Sequence, residues 1–251
     1  MQSLGDRMKG YERAYRTTLP PRTWTVVRLD GRAFHTWTRG LERPFSLAMI
    51  DAMGFGMTEL CKELAGAVVA YCQSDEISLV LSDFARDDTQ AFYDGQVQKL
   101  VSVSASVLTA HFARRFPERD PAVFDARVFA LPDRDEVRNY LLWRQQDARR
   151  NALNMLASAH FSPKELHGVD GAQRQAMLDG MGVEIADVDA RFLDGQTCHR
   201  ERRVADATYT DPGGAERTAT GVERWVWTTQ AAPTLDCRPG SFLDGVLPGE
   251  P

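Results

Sequence analysis

Cysteine is scarce in this chain. The four among 251 residues, Cys61, Cys72, Cys198 and Cys237, are widely spaced and never form a CxxC pair. Such spacing starts neither a zinc site nor a redox motif, so reduced thiols are expected. Long apolar runs are also missing: no window approaches the roughly 18 residues of a membrane-spanning helix. The opening MQSLGDRMKGYER lacks the apolar centre of a secretory signal. A soluble, cytoplasmic protein without a membrane partner is expected. Nor is there an excess of positive charge, the formal net charge being −5. That excludes a generally basic nucleic-acid coat but leaves room for a local basic groove. Arginines do cluster, at Arg114–Arg115, Arg144, Arg149–Arg150, and Arg200 with Arg202–Arg203, although each cluster also suits a solvated face. No repeat, low-complexity tract or long linker divides the chain, so residues 1–251 read as one domain.

A hydrophobic content of 43% suffices for a real core. The run Val26-Val27-Arg28-Leu29-Asp30-Gly31 reads as a strand ending in an acid and a glycine. Leu47, Ile50, Met53, Met57, Leu60, Cys61 and Leu64 then recur at helical steps. AGAVVAYC and ISLVLSDF give two more strands separated by Gln73–Glu76, a hairpin spacing. A second helical pattern covers about Thr89 to Phe116, and FDARVFAL gives a fourth strand. The order β-α-β-β-α-β predicts an α+β fold of ferredoxin-like type: an antiparallel sheet with its helices on one face.

In that topology the end of the first strand and the hairpin share one edge of the sheet. Asp30 and the pair Asp75–Glu76 then converge although about 45 residues apart. Without matching buried bases, three such acids repel one another, and a divalent cation would relieve them. Hard oxygen ligands point to Mg²⁺, which is typically shared between one or two carboxylates and substrate phosphates. Two such ions suit phosphoryl or nucleotidyl transfer. Gly31 would let its carbonyl approach an ion directly. The bland alternative is an Asp-Gly turn beside an exposed acidic hairpin.

Four segments, VVRLDGRAFHTW, YCQSDEISLVL, FDARVFALP and LLWRQQDARRNALNMLASAHFSPKELHG, together resemble the tRNA-histidine guanylyltransferase superfamily, the 3′-to-5′ nucleotide polymerases. The last is most similar to the guanylyltransferase-like proteins. The resemblance runs from about residue 8 to 170. It implies a polymerase-palm-like catalytic core over about 20–160, two Mg²⁺ ions, ATP and GTP or other nucleoside triphosphates as substrates, tRNA or a tRNA-like RNA as partner, and a homo-oligomer, commonly a tetramer. It further implies catalytic Asp30, Asp75 and Glu76, with the metal held by Asp30, the Gly31 carbonyl and Asp75. Arg28, Ser74, Lys99 and Arg127 match positions near nucleotide phosphates. Bidentate arginine suits such a role.

The segment Trp143–Ala159 carries Arg144, Arg149, Arg150 and Asn151, which the resemblance marks for RNA contact. The eukaryotic tRNA-histidine enzymes have His-Ile-Asn-Asn where this chain has Arg149-Arg150-Asn151-Ala152. That departure favours template-dependent repair of 5′-truncated tRNA, with ATP activating 5′-monophosphate ends, over guanosine addition to tRNA-histidine. A palm-type nucleotide cyclase and a non-catalytic RNA-binding module are the competing readings. His35 and the pair Cys198–His199 look chemical, but a structural hydrogen bond and an incidental neighbour explain them as well. The C-terminal extension, about 161–251, reads as a short helical piece, a β-hairpin around Pro212-Gly213-Gly214, and an irregular Gly/Pro-rich tail.

Overall fold

The computed structural model describes residues 2–85, 88–236 and 238–249. Cys237 lies outside them. The elements are, in order, α1 (Leu4–Ala14), β1 (Trp24–Gly31), α2 (Phe34–Trp37), α3 (Leu47–Glu63), β2 (Ala67–Gln73), β3 (Glu76–Leu81), α4 (Val97–Ala113), β4 (Phe124–Leu131), α5 (Arg134–His160), α6 (Gly171–Asp179), α7 (Ala190–Leu193), β5 (Gln196–Thr210), β6 (Glu216–Ala231) and α8 (Phe242–Val246). The strands form one antiparallel sheet in the order β4-β1-β3-β2-β5-β6. The α+β expectation holds, and the C-terminal hairpin continues the sheet through β5 beside β2.

Alternation along each strand sorts side chains between two cores. Val27, Leu29, Ala70, Cys72, Ile77, Leu79 and Phe124 face α3 and α4, where Met53, Met57, Leu60, Leu100, Leu108 and Phe112 cover them. Trp24, Val69, Tyr71 and Val80 point the other way, against Val137, Leu141 and Ala148 of α5 and against Leu235, Leu243 and Leu247. The sheet is therefore covered on both faces: α3 and α4 share one, as expected, and α5 takes the second. The tail is not irregular. It folds back as α8 with Leu243 and Leu247 buried, held by the Arg134 guanidinium, which donates to the Asp244 and Leu247 carbonyls at 2.8 and 2.9 Å.

The second helix starts later than its periodicity suggests. Tyr93, Asp94 and Gly95 all have positive φ, which interrupts a helix before Val97. α5 is capped by Asp133, whose carboxylate accepts from the Glu136 amide at 2.8 Å, and its 27 residues run to about 40 Å. That length carries its second half beyond the edge of the sheet where β1 ends, and there it walls a cavity. No helix among the described residues is long and apolar enough to cross a membrane.

Candidate active site

The cavity, of about 1190 Å³, is bounded by the end of β1, the β2–β3 hairpin, residues 33–46, the start of α3 and the far half of α5. Asp30, Gly31, Ser74, Asp75 and Glu76 all reach it. The topology thus brings the expected acids together, and the register explains how: Asp30 lies directly opposite Glu76 in the β1–β3 ladder, and the hairpin turns on Ser74 and Asp75, with Ser74 at φ 48°.

Their surroundings differ sharply. Glu76 is only 6% exposed, and its Oε1 accepts from Arg144 Nε at 2.7 Å. Its Oε2 accepts from Arg144 Nη2 at 3.0 Å and from Arg28 Nη2 at 2.5 Å. Two guanidiniums neutralise this acid. The expectation of three acids without matching bases is therefore not met: Glu76 accepts three hydrogen bonds from two guanidiniums. Arg28 also lines the cavity, with one nitrogen donating to Glu76 and its Nε unpartnered. Arg144, 3% exposed, is also bonded to Asp147 at 2.7 Å and lines the cavity rather than standing out on the surface.

Asp30 and Asp75 lack such neutralisation. The cation nearest Asp30 is Arg127, whose Nη2 is 3.9 Å away. Asp75 accepts a hydrogen bond from the Ser74 hydroxyl at 3.0 Å. Burial pushes the Asp75 carboxyl above the usual carboxylate range, its backbone and Ser74 hydrogen bonds offset part of this, and Asp30 and Glu76 add repulsion. Two under-neutralised carboxylates with the neighbouring Gly31 carbonyl form a hard-oxygen donor set that fits Mg²⁺, with remaining positions left to water and phosphate oxygens. Among the described residues no group of three or more His, Cys, Asp or Glu side chains converges as a metal cage. Gly31 also has a steric reason: a Cβ there would overlap the Phe34 ring.

The remaining expected residues divide. Asn151 lines the cavity and its amide donates to Asp147 at 3.3 Å. Arg149 and Arg150 are exposed beside it, paired with Asp194 and Asp147. Lys99 does not join the site. It sits in the first turn of α4, its ammonium 5.2 Å from the Tyr93 ring centroid. The neighbouring Thr18–Gln96 bridge precedes the start of β1, at the end of the sheet opposite the hairpin. His35 lies on the cavity wall, 3.0 Å from the Thr36 hydroxyl. Cys198 and His199 point to opposite faces of β5, the first towards Thr58, the second towards Glu201 and Phe242.

Three cavity features escaped the sequence. Asp147 projects into it, and although burial raises its carboxyl, Arg144 and Arg150 hold it below the usual range overall. The signal was its position three residues after Arg144 and three before Arg150. Gln73 also lines the wall, 5% exposed, with its amide nitrogen unpartnered. The stacked rings of Phe45 and Phe192, with centroids 4.7 Å apart, unite segments almost 150 residues apart, which no local pattern could disclose.

The family model for Thg1, tRNAHis guanylyltransferase, matches residues 5–132. Among solved structures, a bacterial tRNA(His) guanylyltransferase-like protein in complex with GTP is 34% identical, with a TM-score of 0.76, covering 93% of this chain and 94% of its own. A bacterial guanylyltransferase-like protein in complex with ATP is 39% identical with the same TM-score of 0.76, covering 79% of this chain and 89% of its own. The tRNA(His) guanylyltransferase of Neurospora crassa is 31% identical over 174 residues, 65% of this chain but only 57% of that relative's length. The cavity with its two under-neutralised acids thus lies in a chain that belongs to the tRNAHis guanylyltransferase family of nucleotidyltransferases.

Proposed function

We propose that this protein is an Mg²⁺-dependent 3′-to-5′ nucleotidyltransferase that adds nucleotides to the 5′ end of tRNA, repairing truncated ends against the opposite strand. The observation that carries this reading is the contrast within the acid group. Glu76 is saturated by Arg28 and Arg144, while Asp30 and Asp75 stand at the cavity without comparable cationic partners. Asp30, Asp75 and the Gly31 carbonyl would hold Mg²⁺, which lowers the pKa of a bound hydroxyl and stabilises charge on phosphoryl oxygens. Glu76 holds Arg28 and Arg144 in place and so fixes the wall beside the reacting groups.

The cavity is large enough for a nucleoside triphosphate, with apolar surface from Phe45, Met49 and Phe192 and polar groups from Gln73, Asp147 and Asn151. In the transfer, the 3′-hydroxyl oxygen of the incoming nucleotide forms a bond to the 5′ phosphorus of the RNA. A monophosphorylated end is first adenylylated by ATP, releasing pyrophosphate, so that AMP then leaves; a triphosphorylated end releases pyrophosphate directly. Arg127, exposed next to Asp30, would offset phosphate charge. Arg149 is tied to Asp194 where the eukaryotic enzymes have a histidine, which supports selection by base pairing over selection by tRNA identity.

The test is a tRNA lacking its first nucleotide, bearing a 5′-monophosphate, incubated with Mg²⁺, ATP and each nucleoside triphosphate in turn. Changing the opposing base from C to U, A or G should switch the added nucleotide from G to A, U or C. Persistent G addition confined to tRNA-histidine would replace repair with guanosine addition. A cyclic nucleotide formed without RNA would indicate the cyclase reading, and metal-independent binding without extension a binding module.

A further inference from the structure

Trp143 is half exposed, unusual for a large aromatic side chain, and it does not line the cavity. It is nevertheless firmly placed. The Arg144 guanidinium packs 4.3 Å from its ring centroid, and the Tyr140 ring centre is 5.9 Å away. Tyr140 is fixed in turn by its hydroxyl, 2.9 Å from that of Ser78, and by an edge contact with Phe129 at 5.4 Å. Arg144 is the same side chain that holds Glu76, and Glu76 faces Asp30 across the sheet. The exposed indole is therefore two side chains removed from the acid site. Strand alternation puts Asp30, Arg127 and Phe129 on this same face, and the Arg127 side chain is largely exposed beside Asp30.

We propose that Trp143 and Arg127 form a docking platform for the 5′-terminal nucleotide of the RNA, the indole stacking on its base and the guanidinium facing its phosphate. This rests on the nucleotidyl-transfer reading above, and it assigns the RNA end to the β4 side of α5 while the cavity takes the incoming nucleotide. The chemistry selects a nucleic acid over a protein partner. A single rigid ring backed by one guanidinium, with a second exposed beside Asp30 on the same face, suits one base and its phosphate, whereas a protein interface is centred on a broader apolar patch depleted of charge. Stacking on an aromatic face is also tolerant of base identity, as an end that is to be templated elsewhere requires.

The experiment uses an acceptor-stem hairpin RNA with a 5′-monophosphate and 2-aminopurine as its first nucleotide, titrated with full-length protein. Stacking on Trp143 should quench the 2-aminopurine emission. Trp143→Phe should keep most of the quench. Trp143→Ala should lose it and weaken RNA binding on the order of tenfold or more, while ATP affinity stays within about twofold. Trp143→Leu retains apolar bulk over Arg144 without a π face, so it should behave like Trp143→Ala even where the smaller variant folds poorly. Unchanged quench and affinity in Trp143→Leu would overturn the platform. So would a loss of self-association in sedimentation with RNA binding intact, which would make the ring a contact between copies. Quenching by a wild-type protein that adds no nucleotide would sink the proposed reaction and leave the platform standing; failure to bind the RNA at all would remove both.

Discussion

Asp30 and Glu76 face each other across the β1–β3 ladder, yet Glu76 is gripped by two guanidiniums while the nearest cation to Asp30 is 3.9 Å away. A single ladder pair thus holds one neutralised acid and one that is not. The difference comes from α5, which sets Arg144 against Glu76 and not Asp30, and from Arg28, two residues before Asp30 and on the same face of β1.

Replacing Glu76 should accordingly damage the fold. Glu76→Gln leaves Arg28 without its counter-charge and Arg144 with Asp147 alone, and breaking a buried pair costs about 3–5 kcal/mol. Asp75→Asn removes a carboxylate that burial already disfavours, so its stability should equal or exceed that of the parent. Urea unfolding of both variants checks the contrast. A folded Glu76→Gln as stable as the parent would show that the two arginines need no counter-charge.

Cation binding should follow the other two acids. At a concentration of about 100 times its Kd, Mg²⁺ stabilises a single site by roughly 2.7 kcal/mol, which for a chain of this size raises Tm by roughly 5–10 °C. Asp30→Asn and Asp75→Asn should abolish the rise, and Lys99→Ala, at the opposite end of the sheet, should keep it. A rise that survives in Asp75→Asn would move the ion elsewhere.

Much of this was legible because period-two runs and an acid at a strand end are local signals. β1 and β4 follow directly from their alternation, and once the order β-α-β-β-α-β is read, the meeting of Asp30 with Asp75 follows from topology. The Glu76–Arg144 pair was hidden because it joins residues 68 positions apart through a helix on the face that the simplest form of this fold leaves uncovered. Lys99 lies outside the cavity lining for a related reason: similarity fixes a position along α4 in sequence, not where that helix begins relative to the acids. In the tail, Gly and Pro concealed Leu243 and Leu247, whose i,i+4 spacing was the signal of a helical face.

That tail should be integral to the fold. Leu243 is fully buried between α5 and the sheet, so Leu243→Ala should cost about 2–5 kcal/mol through lost burial and the cavity left behind. Chemical denaturation measures it directly. A loss below about 1 kcal/mol would return the segment to a loose appendage.

The second core also contains a titrating group. His199 is 6% exposed, and burial holds its imidazole below the ordinary histidine value, with Glu201 only partly opposing this. The unfolded chain then binds more protons than the native state between that lowered pKa and about 6.5, so stability rises with pH across this window. Stability is fully present above about pH 6.5 and is lost as pH falls through the window. Urea midpoints at pH 7.5 and 5.5 should differ in the parent and converge in His199→Gln. An equal pH dependence in both would assign the effect to other groups.

Gly31 offers a test of whether its missing side chain serves packing as well as ion access. A Cβ there overlaps Phe34, whose ring packs against Trp37, Phe112 and Phe124 with centroids 5.3, 5.7 and 5.1 Å away, so the ring cannot simply swing aside. Gly31→Ala should therefore cost about 1–3 kcal/mol, as overpacking of a filled core does. Phe34→Leu shortens the obstructing group at its own expense in burial. If the clash is the cause, the double variant should lose less stability than the two single losses added, with a coupling of about 0.5–3 kcal/mol. Strict additivity would mean that the added methyl group is accommodated without touching the ring. If Gly31→Ala also left stability unchanged, a weakened Mg²⁺-induced rise in Tm would be its sole consequence, leaving the carbonyl's approach to the ion as the reason for glycine.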